Sequence, residues 1–186
     1  LNCKGKLIDL NEPKVMGILN ITPDSFYDKS RFNSKHDLLK RTELMLSEGS
    51  TFIDVGAYSS RPGAEFVSEE QERKRLIPAL KIILKEFPDV LLSVDTFRSN
   101  IARETIDLGA SIINDISGGD MDPDMFDVVV NKQVPYILMH MRGNPQTMTH
   151  LNNYDHLIVD IISELRIKVN DLEKRVINDI INDPGL

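Results

Sequence analysis

VLLSVD (Val90–Asp95) is a short apolar run that stops at a hydrogen-bonding side chain. The pattern occurs six times along the chain, and the other runs stop at Asn20, Asp54, Asn114, His140 and Asp183. Polar residues at the carboxyl ends of successive buried strands are typical of a parallel α/β sheet, whose active site is assembled at that edge. The pattern therefore predicts an enzyme with a site rich in carboxylates and amides.

The composition is typical of one ordinary globular domain. The chain has 186 residues, of which 41% are apolar and 27% charged, so it can bury one sizeable core. Its single cysteine, Cys3, excludes a disulfide framework or a thiolate metal cluster, and its apolar runs are too short to span a membrane. No secretory or transit segment is visible, which predicts a cytoplasmic protein.

The net charge of −7 limits the class of partner. It argues against nucleic acid, which would require a basic face. It also means that an anionic substrate must be held by local donors or by a metal ion, because the overall field repels it.

Helical segments separate the apolar runs. They are predicted over 34–48, from Ser68 onward, from Asp122 onward and over about 154–176. Ser68 and Gln71 have the spacing of a capping box, and Asp122 before Pro123 has the pattern of an N-cap followed by proline at the first helical position. Strand and helix therefore alternate, as in βα units around a parallel sheet.

This alternation predicts a (β/α)8 barrel, of which the chain holds about six of the eight βα units. A doubly wound sheet is the alternative, but its dinucleotide-binding form requires a glycine fingerprint after the first strand, and this chain has none there. The loops after the first two strands are instead long and polar, as in barrel enzymes. We expect one barrel domain over 1–186, in which residues 1–13 form a small hairpin ahead of the first barrel strand.

Six motifs occur in order along the chain. They are MGILNITPDSF (16–26), IDVGAYSSRPGA (53–64), SVDT (93–96), INDISGG (113–119), MHMRGNPQTM (139–148) and NDPG (182–185). Together they resemble the dihydropteroate synthases, and the resemblance runs from the opening hairpin to the last residue. LNITPDSF and SSRPGA in one chain are its most specific part.

The resemblance implies a reaction in folate biosynthesis. A pterin-binding (β/α)8 barrel joins 6-hydroxymethyl-7,8-dihydropterin pyrophosphate to para-aminobenzoate and releases pyrophosphate, with Mg2+ as cofactor. The resemblance also implies a pterin pocket in which Asp183 accepts the paired N–H donors of the ring. Asp95 and Asn114 would meet its other polar atoms, and Met139 would supply an apolar wall. The alternative is that Asp95 and Asp183 are strand-end caps bonded to nearby backbone N–H groups.

The resemblance implies further roles at the reacting bond. Asn20 would approach Mg2+ and the diphosphate, for which a hard oxygen ligand is suitable. Cleavage of the carbon–oxygen bond leaves positive charge on the pterin methylene, which nearby carboxylates, Asp95 above all, would stabilise. Asp54 and Arg61 complete the set of candidate catalytic residues.

The two long loops are implied to form the para-aminobenzoate site over the diphosphate. The residues concerned are Thr22, Phe26 and Asp28 in the first loop and Ser60, Arg61 and Pro62 in the second. Arg61 is alternatively a solvated loop cation. The chain departs from the family at Ala57, Tyr58 and Ser60, where a glycine, an acidic residue and a threonine are common; serine keeps the hydroxyl group.

The family continues for two more strands after its DPG motif, with a lysine and an Arg-x-His pair. We therefore expect that this sequence is part of a longer protein, that residues 1–186 alone are inactive, and that the complete protein is a homodimer. Two other functions remain open. One is a pterin-dependent methyltransferase domain, and the other is a non-catalytic pterin-binding homologue.

Overall fold

The computed structural model describes residues 1–21, 31–58 and 67–185, with only the backbone described over 31–34. The strands are Asn2–Cys3 (β1), Lys6–Leu7 (β2), Val15–Asn20 (β3), Ser50–Gly56 (β4), Leu91–Asp95 (β5), Ile112–Asp115 (β6), Tyr136–Met139 (β7) and Ile180–Asp183 (β8). The helices are Arg31–Ser47 (α1), Glu69–Glu86 (α2), Ser99–Leu108 (α3), Met125–Lys132 (α4) and Leu157–Lys174 (α5), with a short 3-10 helix at Met148–His150.

Strands β3 to β8 form one parallel sheet. Its strand order is β3-β4-β5-β6-β7-β8, which is the order along the chain, so every helix between two strands connects direct neighbours. A doubly wound sheet reverses its strand order at a switch point, and the described strands do not. The prediction of successive βα units from a barrel is therefore confirmed, with β3 and β8 as the outer strands of the described sheet.

Two predicted strand ends, at Asp54 and Asn114, are wrong by two residues and one residue. Strand β4 continues past Asp54 to Gly56, because Val55 and Gly56 still pair with β5 in the parallel ladder. Strand β6 includes Asp115 after Asn114. Strand β7 ends at Met139, directly before His140, as the run YILM predicted. Asp54 therefore lies inside its strand rather than at the end.

The helix signals were partly correct. The capping box is confirmed: Ser68 Oγ accepts from Gln71 N at 3.3 Å, and Gln71 Oε1 accepts from Ser68 N at 3.0 Å. The predicted cap at Asp122 is wrong for its own helix, which begins only at Met125. Asp122 Oδ2 instead accepts from Ser99 N at 2.7 Å. It therefore caps the first turn of α3, which has no side-chain cap from its own preceding residue.

The hairpin β1–β2 covers the amino ends of the sheet strands. Its turn places Lys4 and Gly5 at φ 56° and 81°, the left-handed pair that a two-residue hairpin requires. Buried Cys3 packs against Phe52, Leu91, Ile112 and Ile137, which lie at or near the starts of β4 to β7. The opposite, carboxyl edge of the sheet is left for polar side chains. Among the described helices, none has the length and apolar character needed to cross a bilayer.

Candidate functional site

Three predicted positions meet in one row with Gly56 at the carboxyl edge of the sheet. Asn20 pairs with Gly56, Gly56 with Asp95, and Asp95 with Asn114, across strands β3 to β6. Parallel pairing brings the ends of these strands to one edge although they are far apart in sequence. The sheet therefore places Asn20, Asp95 and Asn114 side by side, as the sequence predicted.

Gly56 makes room for two oxygen atoms in this row. A Cβ atom built on Gly56 would lie 3.2 Å from Asp95 Oδ2 and 3.4 Å from Asn20 Oδ1. Both side chains therefore extend toward the space above the same glycine. An amide oxygen and a carboxylate oxygen on adjacent sides of this space are hard donors suited to a divalent cation such as Mg2+.

Asp54 lies on β4 two residues before Gly56, and a hydrogen bond from Asn114 joins it to the row. Its side chain is 5% exposed, and its Oδ2 atom accepts from Asn114 Nδ2 at 3.1 Å. Ser93 faces Asp54 in the ladder and lowers the pKa of its carboxyl. Within the described ranges, however, Asp54 Oδ1 and Ser93 Oγ have no partner in good hydrogen-bond geometry.

The carboxylates of the site are held in a protein environment that disfavours their charge. Burial is the main cause that raises the pKa of Asp95 well above its usual range, and the charges of Asp54, Glu72 and Asp115 add to the shift. Part of the Asp95 residue is still reached by solvent. Within the described ranges no hydrogen-bond donor contacts its carboxylate. Burial also raises the pKa of Asp54. A cationic or donor-rich ligand would relieve this electrostatic cost.

Asp115 is a buried carboxylate that the sequence analysis did not select. It accepts from Tyr136 OH at 2.6 Å, from Ser117 N and Oγ at 2.8 and 2.7 Å, and from Gly119 N at 2.9 Å. Burial raises its pKa, while these hydrogen bonds lower it. Asp115 therefore fixes the turn after Asn114. The Asx-turn pattern DIS before two glycines was the available sequence signal.

Asp183 and Met139 lie at the same edge, on β8 and β7. They are register partners, and Asp183 is three strands away from Asp95. Asp183 Oδ1 accepts from Gly185 N at 2.9 Å, so one carboxylate oxygen makes the cap contact that was the alternative to pterin binding. Beside this pair, a cleft of about 390 Å3 is lined by residues that include Met139, His140, Pro184 and Gly185.

His140 and Arg142 form a polar cluster after β7. His140 Nε2 lies 2.9 Å from Glu164 Oε2, and Arg142 Nε donates to Glu164 Oε1 at 3.1 Å. The Arg142 guanidinium also stacks on Tyr154, 3.9 Å from the ring centre. The cluster ties the loop after β7 to α5. Pattern alone did not predict it, because the partners come from separate elements.

The remaining predicted site residues are those of the two loops. Thr22, Phe26, Asp28, Ser60, Arg61 and Pro62 lie outside the described residues. Within the described ranges, no group of three or more His, Cys, Asp and Glu side chains is arranged to hold a metal ion.

Comparisons with known proteins identify the family of the chain. Residues 16–186 match the family model described as pterin binding enzyme. The chain is 45% identical over 182 residues to the mitochondrial folate synthesis bifunctional protein of Arabidopsis thaliana, covering 95% of this chain and 33% of that protein. It is 44% identical over 161 residues to the dihydropteroate synthase of Escherichia coli K12, covering 87% of this chain and 56% of the enzyme.

A solved structure supports the same relationship. The dihydropteroate synthase of Yersinia pestis, in complex with a sulfonamide drug, superimposes with a TM-score of 0.88 at 39% identity. The match covers all of this chain and 67% of that one. The chain thus spans a third to somewhat over half of the length of the two curated relatives. With the family model covering nearly all of its residues, the chain belongs to the pterin binding enzyme family.

Proposed function

We propose that this chain carries the pterin- and diphosphate-binding part of a dihydropteroate synthase. The observation that supports the proposal best is the row Asn20–Gly56–Asp95–Asn114, with Asn20 Oδ1 and Asp95 Oδ2 converging above the glycine. The relatives with that name add support, although the chain covers only part of their length.

The pterin binds across the carboxyl edge of the sheet. Asn114 and Asp95 meet polar atoms on one side of the ring, and Asp183 accepts ring N–H donors from the other side. The Asp183 contact to Gly185 N uses one carboxylate oxygen and leaves the second for the ligand. Met139, the register partner of Asp183, provides the apolar wall. Buried polar atoms of a ligand require such partners, because an unmatched donor costs binding free energy.

The residues beside Gly56 would hold Mg2+. Asn20 Oδ1 is the proposed protein ligand, and Asp95 Oδ2 is the nearest carboxylate oxygen to that space. When bound, Mg2+ neutralises negative charge on the diphosphate and usually keeps several waters, so few protein ligands suffice.

The protein residues stabilise charge as the bonds change. The carbon–oxygen bond to the diphosphate breaks, and its electron pair leaves with pyrophosphate. The amine nitrogen of para-aminobenzoate bonds to the pterin methylene after, or as, pyrophosphate departs, and it loses one proton to water. The carboxylate of Asp95 faces the methylene and stabilises its positive charge, and nearby Asp54 is a second carboxylate that stabilises the same charge. This attraction grows as positive charge develops on the methylene, and it offsets the burial and like charges that disfavour the ionised form of Asp95.

The loop residues complete the second substrate site in this proposal. Phe26 and Pro62 pack on the aminobenzoate ring, and Thr22, Asp28, Ser60 and Arg61 provide polar contacts to it and to the diphosphate. A homodimeric, cytoplasmic protein is part of the same proposal, although the Arabidopsis relative is named mitochondrial.

The test is a product assay on the full-length protein. With dihydropterin pyrophosphate, para-aminobenzoate and Mg2+, we expect release of pyrophosphate that depends on the amine, and 7,8-dihydropteroate detected by mass spectrometry. Pterin binding without product would indicate the non-catalytic homologue. Methyl transfer to a corrinoid acceptor, with no pyrophosphate release, would indicate the methyltransferase domain.

A further inference from the structure

The turn that follows β6, residues 115–119, is held from inside by the carboxylate of Asp115. Asp115 and Tyr136 are both 0% exposed, and Tyr136 OH donates to Asp115 Oδ2 at 2.6 Å. The same oxygen accepts from Gly119 N, and Oδ1 accepts from the backbone and hydroxyl of Ser117. Both carboxylate oxygens are therefore bonded to the turn or to the neighbouring strand β7.

The bond from Tyr136 does more than close a turn. An Asx turn requires only that Asp115 accept from a backbone N–H two residues further on, which Ser117 N provides. The Tyr136 hydroxyl instead comes from another strand, 21 positions away in sequence, and its ring is packed edge-on against Phe126. Because a hydrogen bond to a carboxylate is short and strong, it fixes Asp115 relative to β7 as well as to its own turn.

Asn114 precedes Asp115 directly, so the two share one strand end. Successive side chains of a strand point to opposite faces of the sheet. Asn114 accordingly reaches Asp54 on one face while Asp115 reaches Tyr136 on the other. The backbone oxygen of Asn114 also accepts from Thr96 N at 3.0 Å. A displacement of Asp115 would therefore move the amide of Asn114 at the site.

The turn also lies against the end of β7. Gly118 has a φ of +55°, and a Cβ atom built on it would be only 2.6 Å from the backbone oxygen of Met139. The turn and the strand end thus pack backbone to backbone. Lys168 of α5 holds the turn from outside, where its Nζ atom donates to Ser117 O at 3.1 Å. The place of this turn is therefore linked to the positions of both Asn114 and Met139.

We propose that Asp115, bonded to Tyr136, is a positioning residue for the pterin, because it fixes Asn114 and Met139 relative to each other. The inference rests on the proposed function, in which Asn114 meets polar atoms of the ring and Met139 forms its apolar wall. Asp115 acts through these two residues and does not touch the substrate.

The test compares Asp115→Asn with Asp107→Asn in the full-length protein. An amide has the size of the carboxylate but offers one acceptor oxygen in place of two, so it cannot accept all of these bonds. Asp107 is an exposed aspartate that pairs with Lys132 at the surface and is the matched control. We expect Asp115→Asn to weaken calorimetric pterin affinity about tenfold. Binding of pyrophosphate with Mg2+ should stay within about twofold of wild type, as for an independent site. Asp107→Asn should change neither affinity.

Two further variants reach the same turn without removing the carboxylate, and they decide the question even if Asp115→Asn does not fold. Tyr136→Phe removes only the donor from β7 and should weaken pterin affinity about threefold. Gly118→Ala would force the turn away from Met139 O and should weaken it about tenfold. Gly49→Ala is the control for backbone strain, because Gly49 also has a positive φ, +103°, but an added Cβ meets no atom within 4 Å.

A double variant tests whether Asp115 acts through Asn114. In an Asn114→Ala background, Asp115→Asn should weaken pterin affinity less than it does alone, because the amide that it positions is absent. In the product assay, Asp115→Asn should raise KM for dihydropterin pyrophosphate while kcat changes little, which is the pattern of lost ground-state binding. A partly unfolded preparation would instead lower kcat and leave KM unchanged, because its folded molecules would bind normally.

The outcomes separate this inference from the function on which it rests. Unchanged pterin affinity in Asp115→Asn and Gly118→Ala would overturn the inference and leave the synthase proposal intact. Equal weakening of pterin and pyrophosphate binding, or full additivity with Asn114→Ala, would also overturn it. A wild type that binds pterin but releases no pyrophosphate would overturn the synthase proposal alone. A wild type without pterin affinity would overturn both.

Discussion

Asn114 Nδ2 donates to Asp54 Oδ2 at 3.1 Å, and this hydrogen bond joins β6 to β4 over the intervening β5. The two residues are 60 positions apart in sequence. The contact orients the Asn114 amide beside Asp95 and satisfies one oxygen of a carboxylate that is almost fully buried. Asn114 therefore has a partner within the protein as well as a proposed partner on the pterin.

The first prediction compares the two ends of the proposed pterin site. Asp183→Ala should weaken pterin binding at least about tenfold, because a hydrogen bond to a charged group typically contributes roughly 1.5–3 kcal/mol. Asn114→Ala should have a smaller effect. Calorimetry on the full-length protein measures both affinities. Asp89→Ala, an exposed aspartate in the turn before β5, is the control. Unchanged pterin affinity in Asp183→Ala would remove this residue from the pocket.

The second prediction concerns the space above Gly56. Gly56→Ala adds a methyl group 3.2 Å from Asp95 Oδ2 and 3.4 Å from Asn20 Oδ1, which crowds both oxygens. Gly56 does not have a positive φ, so alanine is compatible with its backbone. We expect Mg2+-dependent binding of pyrophosphate to weaken about tenfold while the thermal unfolding midpoint changes little. A variant that binds pyrophosphate and Mg2+ as wild type does would show that this space is not the cation site.

The third prediction follows from the raised pKa of Asp95. Between its usual pKa and the raised one, the folded protein binds a proton that the unfolded chain does not. The stability contribution of Asp95 is therefore greatest at low pH and is lost as pH rises through the folded pKa. Asp95→Asn removes this loss of stability, because an amide does not ionise. At pH 7 the variant should be more stable than wild type, and the difference should shrink toward pH 4 and below.

Urea unfolding of both proteins between pH 4 and 8 measures this difference. Asp89→Asn should show no such pH-dependent gain, since Asp89 is exposed. A variant less stable than wild type at pH 7 would mean that Asp95 makes a favourable charged contact in the folded protein. Asp95→Asn should at the same time abolish product formation, since the proposed role requires the carboxylate.

The fourth prediction concerns residues 1–186 expressed alone. The outer strand β3 exposes Val15 and Ile18 at 59% and 60%, and Ile18 is on the same face as Asn20. An outer strand with apolar side chains and open backbone groups favours association with another chain. We expect the polypeptide to self-associate in sedimentation experiments and to release no pyrophosphate. Ile18→Lys should reduce the association without restoring activity. A monodisperse, active polypeptide would contradict both expectations.

The local features of the fold were accessible from sequence. Strand β5 and the capping box at Ser68 depend on neighbours within a few residues, so apolar runs and residue spacing predict them. The polar residues at the carboxyl edge were also found, because a buried run followed by Asp95 or Asn114 is a local pattern. Strand ends such as Gly56 were missed, because they depend on the pairing partner, which here is Asp95.

Relationships between distant segments were decided only by the tertiary structure. The sequence predicted Asp122 as the cap of its own helix, but packing of the βα units brings it to Ser99, where it caps α3. The same packing brings Arg98 to Glu72 and Val67. A residue's hydrogen-bonding chemistry is set by its identity, which the sequence states directly. Its partner is set by strand register and helix packing, which join residues tens of positions apart and leave no periodic signal along the chain.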